Sequence, residues 1–176
     1  MMSEEQQRSF AIEVAEGFAR IAKEYREASQ SEVPMAIHLL RFQGGGESPE
    51  VVRVDPSPFG GDKEALAMGI RAMVQVWGAR YVIMVNEAWA SIGEGAEEIT
   101  AIEAWTAAGN SLETYPGRRE ILMVSLDGPD VSLLISADIN PDGSVGELDR
   151  LEDPTLQGRL ANLSHPQETK HPELWN

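Results

Sequence analysis

The chain of 176 residues contains no cysteine. That excludes disulfides, thiolate zinc sites, iron–sulfur clusters and thiol nucleophiles. Basic side chains are scarce: 14 Lys and Arg stand against 29 Asp and Glu, a formal net charge of −15. Phosphate binding needs clustered cations, so a nucleic acid partner is not expected, nor an anionic membrane surface. No apolar run approaches the roughly 20 residues of a membrane span. The opening MMSEEQQRSF has neither the basic stretch nor the apolar stretch of a secretory leader. These absences together predict a soluble, cytoplasmic protein. Histidine is limited to His38, His165 and His171, without the spacing of a zinc site. No serine stands in a Gly-x-Ser-x-Gly elbow, and the dinucleotide glycine fingerprint is missing. Gly44–Gly45–Gly46 is followed by Glu47, Ser48 and Pro49. A phosphate loop would need Lys and then Ser or Thr there, so this stretch reads as a hairpin loop. No cofactor is implied.

What is present is the patterning of a globular α+β chain, with 42% apolar residues. Residues 4–28 read as a helix whose apolar stripe is Phe10, Val14, Phe18, Ile21, Ala22 and Tyr25. Residues 35–43 and 51–55 read as two strands around the glycine turn. A second helix starts after Asp62 as N-cap, carries Leu66, Ile70, Met73, Val74 and Trp77 on one face, and stops at Gly78. The segment Arg80–Ala90 is apolar on both faces until Asn86, which predicts a strand in the middle of a sheet. Residues 91–117 form an acidic insert with a short helix over 96–108. Residues 119–126, 131–139 and 145–148 then read as a three-strand meander, reversed at Gly128–Pro129 and at Asn140–Pro141–Asp142–Gly143. The expectation is a single α+β domain over residues 1–153, with a mostly antiparallel sheet covered by two amphipathic helices, and a C-terminal tail over 154–176.

Three constellations could carry chemistry. Asp138, Asn140, Asp142 and Asp149, with Gly143 between, repeat the spacing of a calcium loop over 12 residues. The preceding strand-like VSLLISA and the Asp at the last position depart from that pattern, and the same residues make a good hairpin turn. Glu87 shares a strand face with Val85 and Trp89, so it is either a buried acid or base or a carboxylate near the strand's end, exposed or paired with Arg118 or Arg119. Glu120 is a companion candidate. Trp105, on the acidic insert, is a candidate interface anchor.

The helix after Asp62, Glu87–Ala88–Trp89 at a strand end and Pro116–Gly117–Arg118–Arg119–Glu120 opening the next strand resemble small proteins of unassigned function encoded in bacterial and phage genomes. The resemblance spans about residues 62–126. It implies a microbial cytosolic protein and carries over no catalytic residue.

Three functional readings follow. The first is a non-catalytic acidic interaction or assembly protein, with itself or another protein as partner and a homo-oligomer expected. The second is a carboxylate-based hydrolase, with or without a divalent metal, using Glu87 and Glu120. The third is a calcium module at residues 138–149.

Overall fold

The computed structural model describes residues 2–42, 49–90, 96–111, 114–153 and Leu163. The glycine turn at 44–46 and the tail apart from Leu163 lie outside the described residues. In chain order the elements are α1 (Glu4–Ser29), β1 (Ala36–Arg41), β2 (Glu50–Val54), a short 3-10 turn (Ser57–Phe59), α2 (Lys63–Trp77), β3 (Tyr81–Ala90), α3 (Ala96–Ala107), β4 (Arg119–Gly128), β5 (Val131–Asp138) and β6 (Asp149–Glu152). The six strands form one antiparallel sheet in the order β2-β1-β3-β4-β5-β6. The expected α+β class is therefore observed, with the two long helices on opposite faces of the sheet and a β4-β5-β6 meander at its C-terminal side.

Local chemistry sets the helix ends. Ser3 caps α1 in a reciprocal box with Gln6, satisfying two N-terminal amides. Asp62 accepts from the amides of Glu64 and Ala65 at the start of α2. Gly78 ends α2 in the left-handed region at φ 72°, where a Cβ would be strained.

β3 is interior and apolar on both sides, as its sequence requires. Tyr81, Ile83 and Val85 face α1, while Val82 and Met84 face α2. The phase of α1 differs from the sequence expectation. Its sheet-facing line is Ala11, Ala15, Ala19 and Ala22, and Ile21 and Tyr25 are exposed. Small side chains let the helix backbone approach the pleat closely, and the larger Phe10, Val14 and Phe18 fill one flank. Phe18 stacks on His38 of β1 at 4.2 Å, and Phe10 meets Phe42 edge-on at 5.9 Å. The other flank sets Ile12 against the core and reaches β6, where Glu16 pairs with Arg150 at 2.9 Å.

The last strand also differs. Val145 makes one bridge to Ile139, and the paired strand is displaced to residues 149–152. The Asn140–Gly143 turn packs beneath the C-terminal end of α1: Lys23 Nζ donates to the Gly146 carbonyl at 2.8 Å. A Cβ on Gly143, itself at φ +84°, would run into the Gln30 side chain.

Candidate functional site

Glu87 sits on the α1 face of β3, opposite Leu122 of β4. Its side chain is 4% exposed. Oε1 accepts from the Val33 amide at 2.8 Å and lies 3.0 Å from Arg26 Nε in the last turn of α1. Oε2 is buried without a hydrogen-bond partner. Burial pushes the Glu87 carboxyl above its ordinary range; the Val33 amide and Arg26 pull it down, and Glu120 and Glu32 push it further up. The partner is thus Arg26, not the Arg118 or Arg119 expected from the sequence. Arg118 lies over the Trp89 ring at 5.0 Å, and Arg119 pairs with Asp138 at 3.2 Å.

Glu120 faces Trp89 across the ladder, which puts it on the same sheet face as Glu87, diagonally placed. The two carboxylates are therefore neighbours. Their surroundings hold α1 and the α1–β1 connection against the sheet. General acid–base work needs hydrogen-bond reach to a substrate, and a carboxylate sealed at 4% exposure and bound to Val33 and Arg26 offers none in this conformation.

The calcium-spaced residues are separated by their own contacts. Asp138 takes Arg119. Asp142 Oδ1 accepts from the Ser144 amide at 2.9 Å and from its hydroxyl at 2.6 Å, which holds the Asp142 carboxyl below its ordinary range. Asn140 donates to Ser144 Oγ at 2.9 Å. Asp149 opens β6 opposite Ser136. Among the described residues no cluster of three His, Asp or Glu side chains could hold a metal ion.

Trp105 is half-buried within its own segment. Its Nε1 donates to the Ser111 carbonyl at 2.9 Å, and its ring meets Tyr115 edge-on at 5.7 Å.

A recess lies elsewhere, between β2 and α2. It is a groove of about 690 Å³ with Val52 and Val54 on its strand side, Met73 and Val76 on its helix side and Phe59 and Trp77 at its base. β2 ends the sheet, and no strand lies beyond it among the described residues. Val51 and Val52 are both exposed, one on each face of that edge. Arg41 closes one end, pairing with Glu50 and lying 4.5 Å over the Trp77 ring. Sequence reading missed this site because it counted Met73 as core. Met68 and Val76, on the outer side of α2, fall outside the inward stripe and carry the signal: large apolar side chains exposed among Glu64, Arg71 and Gln75.

Among the described residues, no helix is long and apolar enough to cross a membrane. No protein-family model matches the chain, and neither a curated protein nor a solved structure shows significant similarity to it.

Proposed function

We propose that this chain is a non-catalytic assembly protein that acts by burying its β2–α2 side against another chain. The observation that carries this reading is α2. A helix at a protein surface ordinarily turns a charged or polar face outward; the outer side of α2 carries Lys63, Glu64 and Gln75, but large apolar side chains are exposed among them. The inner face of α2 is Leu66, Ala67, Ile70 and Val74, and its outer side exposes Met68, Met73 and Val76, with Val76 at 89%. Among the described residues, five of the nine large exposed hydrophobics belong to α2 or to β2: Met68, Met73, Val76, Val51 and Val52. Concentration on one side of a molecule marks a contact surface, whereas scattered exposure does not.

Magnitudes set the size of the contact. Burying a Val or Met side chain is worth roughly 1.5–3 kcal/mol, while association costs about 4–15 kcal/mol. The three helix residues alone are marginal, so the contact includes the strand edge and its valines. The acidic surface elsewhere keeps the molecule dispersed and discourages wrong contacts.

The absence of cysteine supplies the test. Val76→Cys and Asp142→Cys each place a single thiol on the surface. The reading expects Val76→Cys to react with a maleimide several-fold more slowly than Asp142→Cys in concentrated purified protein or in host extract. Equal and rapid labelling in both settings contradicts it.

A further inference from the structure

We infer that the occupant of this side is a second copy of the chain, docked by antiparallel pairing of β2 with its counterpart about a two-fold axis at Val52. This rests on the assembly reading above and names its partner and register.

Three observations carry it. The first is charge. A second copy of a chain at −15 is repelled almost everywhere, but residues 36–80, which build β1, β2 and α2, hold five acidic and five basic side chains. The lobe that bears the groove is neutral, so this is where like copies meet with least repulsion.

The second is register. A two-fold axis perpendicular to the sheet keeps each face on its own side, and directly opposed residues then share a face. Only axes centred on a residue satisfy this. An axis at Arg53 sets two guanidinium groups opposite each other. An axis at Val51 sets Pro49, which has no amide hydrogen to donate, opposite Arg53 of the second copy. The axis at Val52 uses the whole of Glu50–Val54: Val52 meets Val52, Val51 meets Arg53 and Glu50 meets Val54.

The third is shape. Val52 and Val54 lie on the α2 face, opposite Leu39 and Ile37. Gly69 of α2 lies against Phe59, so closely that a Cβ there would stand 2.6 Å from the ring. Met73 and Val76, four and seven residues on, share that flank and turn toward β2. Across the axis two such flanks face each other above a pair of Val52 side chains, filling both grooves at once. The two six-stranded sheets become one continuous sheet, and each β2 edge is removed from solvent.

Sedimentation equilibrium of the purified chain, with Val52→Cys under mild oxidation as a register probe, tests this. The expected result is a dimer that strengthens with added salt. Val52→Cys forms a disulfide-linked pair, while Val51→Cys, two residues from its own copy across the axis, does not. Val52→Lys and Val52→Glu, at an exposed edge position, keep the wild-type circular dichroism and shift the dimer at least tenfold toward monomer. A monomer at every concentration in which Val76→Cys is still protected in extract overturns the second copy and leaves the assembly reading standing. Protection of Val76→Cys that survives dilution of the purified monomer places the chain's own C-terminal residues on the groove and overturns both. A dimer in which Val76→Cys labels freely overturns both as well. A dimer that Val52→Lys and Val52→Glu leave intact overturns the strand pairing.

Discussion

Arg26 Nε stands 3.0 Å from Glu87 Oε1, so the last turn of a 26-residue helix is held to the central strand of the sheet by a buried ion pair. The same oxygen holds the Val33 amide of the following connection. One carboxylate therefore fixes where α1 ends and where the chain enters β1.

Breaking that pair has a clear cost. Arg26→Leu leaves the Glu87 carboxylate buried without its countercharge, and such losses run to about 3–5 kcal/mol. Urea denaturation should show a loss of that size, and a change under about 1 kcal/mol would contradict it.

The same pair has a pH signature. The Glu87 carboxyl lies above its ordinary range in the fold, chiefly through burial. A raised folded value means that protonation favours the folded state. The contribution of this group is fully present below the unfolded carboxylate range near about pH 4.3. It is lost as pH rises through the folded value. Glu87→Gln keeps an oxygen for the Val33 amide and does not titrate. Stability profiles between acid and neutral pH should therefore show the wild type losing ground relative to Glu87→Gln as pH rises; parallel profiles would contradict the assignment.

The corrected phase of α1 gives a paired prediction. Ala15→Leu forces bulk into the closest helix–sheet approach and should cost about 1–3 kcal/mol. Ile21→Gln, on the exposed flank, should change the stability of the isolated monomer by less than about 0.5 kcal/mol. The stripe read from sequence alone predicts the reverse order, and thermal melts of the two variants decide between them.

Tyr81 explains a glycine. Its hydroxyl donates to Asp130 Oδ1 at 2.9 Å and accepts from Arg80 Nε at 3.1 Å, and its ring lies against Gly128. A Cβ at Gly128 would stand 2.6 Å from Tyr81 Cε1 and 3.3 Å from the Arg80 carbonyl. Gly128→Ala should lower stability by about 1–3 kcal/mol. Combining it with Tyr81→Leu should recover part of that loss, whereas strict additivity of the two changes would show that the ring is not the cause.

Much of the fold was legible because its signals are local. Asp62 and Gly78 bracket α2, Asn140–Gly143 reverses the chain, and the two-sided apolar run at Tyr81–Val85 announces an interior strand. The α1 phase was missed because alanine contributes little to a hydrophobic count, and close packing on a sheet selects it for size. The final strand slipped because the loop before it is anchored by Lys23 and Gln30, residues more than 100 positions away in the chain. For the same reason the Arg26–Glu87 pair was invisible: periodicity shows which face Glu87 takes but not which helix end arrives above it. The groove was half legible. The surplus of apolar side chains on α2 is plain in Met68, Met73 and Val76, but the edge position of β2 depends on β3 inserting beside β1, which spacing alone does not reveal.

Hydrogen exchange of β2 and α2 as a function of protein concentration tests the central claim most directly, because a free strand edge cannot protect its outward amides. The account predicts that Glu50–Val54 and the C-terminal turns of α2 exchange at least tenfold more slowly in concentrated than in dilute protein, while Asp138–Asp149 is unchanged. Fast exchange of β2, identical at every concentration and in host extract, would contradict it.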